Sequence, residues 1–411
     1  MVSDLEKLTI EQKLFLELLR SVIHKEKLVS KDEEILPSLK EILRLSSIHM
    51  VLPLVVNDLY DIDPKRMEIY KNIVVKQTTE QAAETASFIL LYQKMTEEGL
   101  SPVVLKGIIC RNLYPEPELR SSVDEDFLIN PDELHKYHEF LLGHGFQLVD
   151  PEISLNQADE VSYKNPNNHL YLEVHKYPFA CNDNLFGGLN KLFEDPRETV
   201  IMRIYDTDIC SLDYTDQLLY MICHAYKHLI YSGIGIRQLC DMTLFAETYG
   251  KQIDWDRITA TLEQQHFTLF GEALLKICVD HLGMDTEKAG CSRLYTLCKV
   301  DEEPLLVDIL SGGIYGAQDE NRLHSANMTL SAISAEKQGK RSEGLAASLF
   351  PSYSYMCGNY PYLKQYKYLL PVAWLQRIVT YLKNRNKNVN PGKSIQIGKQ
   401  RIELLKKYKL L

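Results

Sequence analysis

Hydrophobic and polar positions fall into three regimes along the chain. Up to about residue 98 the apolar residues recur at helical spacing, as in Phe15, Leu18, Leu19 and Val22. Ser30 followed by Glu33 has the form of a capping box, and Pro53 and Pro64 interrupt the pattern. From Met67 onward there is no Pro and no internal Gly until Gly99, which predicts one long helix closed by that glycine.

Between 101 and about 210 the period shortens. Apolar runs between turn breakers predict a strand at 102–105, a turn at Gly107, a short helix over 108–114 and a second strand over 123–129. Pro131 suits the first turn of a helix that ends at Gly143 or Gly145. VSYKN and HLYLEVHKY follow as further strands. In the latter Leu170, Leu172 and Val174 share one face, and Tyr171, Glu173 and His175 the other.

From Asp213 helical spacing returns, with Leu218, Ile222, Ala225 and Leu229 in one stripe. More helices are predicted at 255–265, 269–282 and 287–298. The glycine-rich SGGIYGAQDENR at 311–322 and the polar region through Gly344 predict loop, and a tyrosine-rich helical stretch follows. These shifts divide the chain into an N-terminal helical segment (1–98), a mixed α/β segment (99–212), a helical domain (213–345) and a tyrosine-rich, basic helical extension (346–411). At 411 residues the chain is long for one core.

Candidate chemistry concentrates in the mixed segment. Asp124 and Asp126, two apart on a strand, point the same way, and like charges so placed repel unless a cation lies between them. Hard carboxylate oxygens suit Mg²⁺; the other reading is a solvated acidic pair at a strand end. Glu173 supplies a third carboxylate if its strand lies beside that of the aspartates. His175 either contacts a ligand or is a hydrogen-bonded structural group.

His224 and His228, four apart on a helix, are geometrically competent for a metal. They lack the glutamate of a zinc-protease helix and an evident third ligand, so the alternative is a structural pair lining a cleft. Arg237 and Asp241, also four apart, predict an intrahelical ion pair. The glycines at 311–316 lack the Gly-Lys-Ser/Thr of a phosphate loop, which favours a connection or lid.

Composition adds limits. Hydrophobic content of 45% with 25% charged residues is that of an ordinary soluble globular protein. The charged amino terminus has no apolar signal core, and runs such as 50–56, broken by Pro53, are too short to span a bilayer. Nine dispersed cysteines without a CxxC pair fit a reducing cytoplasm. The net charge is −10, yet residues 362–411 carry twelve Lys/Arg against Glu403 alone. A basic tail of this kind either packs near the acidic body or meets nucleic acid; without an aromatic-basic RNA-binding signature the first is favoured.

LKG at 105–107, YPEPELRSSVDEDFLI at 114–129 and LEVH at 172–175 together resemble the polymerase-β-like nucleotidyltransferase superfamily. Within it the chain is most similar to a bacterial group of uncharacterised nucleotidyltransferases. The shared elements here are Lys106-Gly107, Tyr114-Pro115, Arg120, Asp124 with Asp126, Gly145-Phe146, and Glu173 with His175. CHAYKH with Asp241, and LFPS at 349–352, resemble the group's helical second half, so the likeness spans roughly 85–380. Better-known members carry Gly-Ser or Gly-Gly where this chain has Lys-Gly, and a shorter stretch to the first aspartate.

The resemblance implies an α+β fold with a small mixed sheet flanked by helices, followed by a helical C-terminal domain. It also implies transfer of an NMP group from an NTP such as ATP to an acceptor hydroxyl on a small molecule, protein or RNA. Asp124, Asp126 and Glu173 would be catalytic and hold two Mg²⁺ ions, with Mn²⁺ as an alternative. Lys106, Gly107, Arg120, Ser121 and Ser122 would bind nucleotide phosphates. His175, His224, His228, Arg237 and Asp241 would line the cleft. Asp124→Ala and Asp126→Ala are each expected to abolish transfer without unfolding the protein. The altered Lys-Gly turn keeps open a second reading, a nucleotide-sensing or interaction module without turnover. The chain has no HxDxxxxN loop of the kind a phosphotransferase uses.

Overall fold

The computed structural model describes residues 7–183, 185–194, 198–313, 353, 356–357, 360–364, 366–383 and 391–411. Four helices open the chain: α1 (Ile10–His24), α2 (Asp32–Ile48), α3 (Leu52–Ile62) and α4 (Pro64–Glu97). The capping box lies at α1, where Thr9 accepts from the Gln12 amide at 3.2 Å and Gln12 accepts from that of Thr9 at 3.0 Å. At the predicted Ser30–Glu33 box, Ser30 is instead drawn to Glu17 of α1, its hydroxyl donating at 2.6 Å. A tertiary carboxylate thus replaces the local one, and α2 begins two residues later. Pro53 and Pro64 sit in the first turns of α3 and α4, where a missing amide leaves no helical bond unmade. The long α4 closes with Gly99 at φ +78°.

One seven-stranded mixed sheet forms the centre, in the order β3-β4-β5-β2-β1-β7-β6. Its strands are β1 (Val103–Val104), β2 (Glu125–Leu128), β3 (Gln147–Leu148), β4 (Glu160–Lys164), β5 (Tyr171–His175), β6 (Thr199–Ile204) and β7 (Thr207–Leu212). The short α5 (Ile108–Arg111) follows β1, and α6 (Leu134–Gly143) follows β2 through a 3₁₀ turn begun by Pro131. β2 is buried along its whole length and pairs antiparallel with β1 and parallel with β5. The parallel register sets Asp126 opposite Glu173 and Leu128 opposite His175. The β6–β7 hairpin, which the sequence pattern did not single out, extends the sheet by pairing β7 parallel to β1.

The helical half comprises α7 (Tyr214–Tyr231), α8 (Ile236–Tyr249), α9 (Trp255–Gln264), α10 (Thr268–Lys276), α11 (Ser292–Leu297) and α12 (Glu303–Gly312), with a π turn after α10. Asp213 caps α7 by accepting from the amides of Thr215 and Asp216. Helix α11 is shorter than the pattern over 287–298 predicts. The Asp285 carboxylate takes the amides of Glu287 and Lys288, holding that stretch in turns up to Gly290 at φ +69°.

Two further helices close the chain, α13 (Leu370–Lys383) and α14 (Pro391–Lys407). Buried Arg401 of α14 donates to the Leu229 and Ile230 carbonyls at the end of α7, and Lys407 meets Asp301 at 2.7 Å. This part of the basic tail therefore packs on the protein's own body. Most of the 311–344 loop prediction and the LFPS segment lie outside the described residues. Among the described residues no helix is long and apolar enough to cross a membrane.

Candidate active site

The turn after β1 places the site. Gly107 has φ +54°, a conformation that L side chains rarely adopt, and a Cβ there would run into Glu125 Oε2. That carboxylate accepts from the Ile108 amide at 2.8 Å and pairs with buried Arg111. Glu125 thus clamps the Lys106-Gly107 turn from the face of β2 opposite Asp126. Strand alternation does not single it out, because it lies between the two aspartates.

On the other face of β2, Asp126 is 2% exposed. Lys106 Nζ lies 2.8 Å from its Oδ2, and His175 Nε2 3.1 Å from its Oδ1. Glu173 reaches the same imidazole nitrogen at 3.7 Å, and Glu160 of β4 approaches the other nitrogen at 3.5 Å. Burial opposes ionisation of Asp126, but Lys106 and His175 outweigh it and hold the carboxyl below the usual range. For Glu173 the balance is reversed, because Lys106 opposes its shift only weakly. Burial, then repulsion from Asp126, Glu160 and Asp124, pushes it up to about 8.

Asp126, Glu173 and His175 each offer a ligand atom within 4.8 Å of the others. Two carboxylates and an imidazole on a rigid sheet fit a divalent cation; the nitrogen donor suits Mn²⁺ or Zn²⁺ at least as well as Mg²⁺. Asp124 stands outside this trio. It lies one residue before β2 begins and faces the neighbouring cleft together with Lys106 and Gly107. Its carboxylate has no hydrogen bond or ion pair among the described residues, while its backbone carbonyl accepts from Ser122 at 3.1 Å.

This cleft lies between the Lys106-Gly107 turn, the middle of α7 and the first half of α8. Arg237 and Asp241 do not pair with each other. Asp241 receives a two-pronged bond from Arg120 at 3.1 and 2.6 Å and one from Tyr114 at 2.8 Å, whereas Arg237 donates to the Ser121 carbonyl. Both contacts cross from α8 to the 120–124 loop. A bidentate, buried carboxylate outcompetes the intrahelical geometry. Gln81 of α4 holds the same loop through the Ser122 amide.

Arg120 is therefore committed within the fold, and only its Nη1 reaches on, to Ser122 at 3.1 Å. Of the residues expected to meet phosphate, Lys106, Gly107, Arg120 and Ser122 line the cleft, and Ser121 contributes its backbone carbonyl to the Arg237 bond.

His224 lines the cleft, and its Nε2 lies 3.2 Å from that of His228. Among the described residues no third metal ligand joins this pair. Burial, then the positive charges of Lys106 and Lys227, lowers His228 to about 3, with Asp126 opposing. Below about pH 6.5, the ordinary histidine value, the unfolded chain binds a proton that the folded protein refuses. Stability from this group is therefore full above pH 6.5 and is lost as pH falls toward 3. His228→Gln is expected to narrow the gap between urea midpoints measured at pH 7 and pH 5.

No curated protein and no solved structure matches the chain. The model of a family described as uncharacterised nucleotidyltransferases does, over residues 38–283. The match starts within α2, ahead of the likeness read from 85, and ends before the segments at 284–380 assigned to it above. It takes in the whole sheet, the Lys106-Gly107 turn and both helices facing it, well over half of the sequence, and so the chain belongs to the uncharacterised nucleotidyltransferase family.

Proposed function

We propose that the protein moves an NMP group from an NTP to an acceptor hydroxyl with the help of a divalent cation held by Asp126, Glu173 and His175. The observation that carries this reading is the convergence of those three side chains beside a cleft bearing the Asp124 carboxylate, which has no partner among the described residues. When bound, a cation there supplies charge neutralisation for the triphosphate and acidifies a coordinated hydroxyl. Lys106 and His175 favour the ionised form of Asp126, which is fixed on β2, so a cation has only to displace Lys106 to reach it. Lys106, now on Asp126, is 18% exposed and can turn toward phosphate oxygens in the cleft. The Gly107 turn gives phosphate close access to backbone, and Asp124 faces the same space and can orient the acceptor. Arg120 and Asp241 act at one remove by fixing the loop that carries Asp124.

The second reading, a nucleotide sensor without turnover, draws on one feature: the Lys106–Asp126 ion pair stands where cation binding must displace it. Pyrophosphate release separates the two. The protein is incubated with each labelled NTP, Mg²⁺ or Mn²⁺ and a cell extract. The proposal expects metal-dependent pyrophosphate release with label passing to one acceptor; nucleotide binding without pyrophosphate in any combination would establish the sensor.

A further inference from the structure

Nearly every polar group lining the cleft is already satisfied from within the fold. Lys106 is held by Asp126, Arg120 by Asp241, and Ser122 bonds the Asp124 carbonyl. Arg237 holds the Ser121 carbonyl, and His224 pairs with His228. Besides the Asp124 carboxylate, Gln238 departs from this pattern. It stands in the first turn of α8, and its side-chain carbonyl oxygen is buried with no hydrogen-bond partner among the described residues. A buried carbonyl left unmatched costs about 1–3 kcal/mol, so an orphan on a residue that lines the cleft marks a place where a ligand can supply the donor once the amide turns toward it.

The surroundings narrow that ligand. Met221 of α7 and Met242, one turn beyond Gln238 on α8, line the same cleft and are 7% and 4% exposed. Thioethers make favourable contacts with flat aromatic rings and adapt to their shape. Apolar walls beside a single amide reader suit a planar heterocycle with a hydrogen-bonding edge. A glutamine carbonyl oxygen selects an N–H donor on that edge, and the glutamine–adenine pairing seen in nucleic-acid recognition uses the same atoms.

We infer that Gln238 is the base-reading residue of the cleft: its side-chain carbonyl accepts from the exocyclic amine of a nucleobase lodged beside Met221 and Met242. The inference rests on the nucleotidyltransferase reading and deepens it, naming an NTP whose base has an amine where hypoxanthine or uracil has an oxo group, that is adenine or cytosine. The Lys106-Gly107 turn and Asp124, in the same cleft, leave the triphosphate on the sheet side and the base on the α7–α8 side.

The test compares pairs in which an oxo group and a ring N–H replace the amine and its neighbouring ring nitrogen, ATP against ITP and CTP against UTP. Equilibrium binding of each is measured in Mg²⁺ to the full chain and to Gln238→Leu, with inorganic tripolyphosphate as a base-free probe. The wild type is expected to favour the amine-bearing member of one pair by about ten-fold, and which pair shows it identifies the base. In Gln238→Leu that ratio is expected to fall to about one, with tripolyphosphate affinity and the thermal midpoint retained. A ratio near one in the wild type, or a ratio that survives in Gln238→Leu, overturns the inference while leaving nucleotide transfer standing. Failure of all four NTPs and of tripolyphosphate to bind overturns both.

Discussion

Asp124→Ala is expected to reduce nucleotidyl transfer by about a thousand-fold or more while leaving the protein as stable as the wild type. The two halves of that expectation come from the same fact. The Asp124 carboxylate makes no hydrogen bond or ion pair among the described residues, so the fold loses nothing when it goes, and surface-like changes fall within about 0.5 kcal/mol. A carboxylate kept unpaired beside a cleft has its use in the substrate complex. Asp126→Asn should be equally inactive for a different reason. It removes a negative cation ligand and leaves Lys106 and His175 facing a neutral amide, at a stability loss of about 1–3 kcal/mol. Transfer assays alongside urea titrations of both variants check this. Near-normal turnover in either would remove the carboxylates from the chemistry.

The second large effect concerns the turn itself. Gly107→Ala is expected to destabilise the protein by about 3 kcal/mol or more, read as a drop in the urea midpoint at unchanged slope. A positive φ alone costs an alanine about 1 kcal/mol. The larger part comes from Glu125, whose Oε2 occupies the space the new methyl group needs. Moving that carboxylate breaks the buried pair with Arg111 and strips the Ile108 amide of its acceptor. Because both losses run through one carboxylate, Gly107→Ala and Glu125→Ala should be strongly non-additive. A combined cost equal to the sum of the single costs would show that the clamp does not work this way.

These two residues also show where sequence patterns reach their limit. Asp126 and Glu173 could be read as strand carboxylates from alternation alone, and Gly107 as a turn. Glu125, between two more conspicuous acids, gave no signal of its own, because strand alternation says which face a residue takes and not what it meets there. His175 was read as a secondary cleft residue, yet its ring holds Asp126 and completes the trio with Glu173. Arg237 and Asp241, four apart, suggested each other; the 120–124 loop offered both of them better partners.

By itself the sequence determined the succession of elements: the helical lead-in, the strands carrying Asp126 and Glu173, the glycine turn and the helical second half. These are local properties, set by periodicity, proline and glycine within a few residues of each position. Tertiary structure alone decided that β5 lies parallel beside β2 in the register joining Asp126 to Glu173, and that β7 completes the sheet beside β1. It also decided which cation each buried acid receives. Such pairings join residues tens of positions apart, and they are selected by the burial of whole faces against one another. No short window of the chain records that selection.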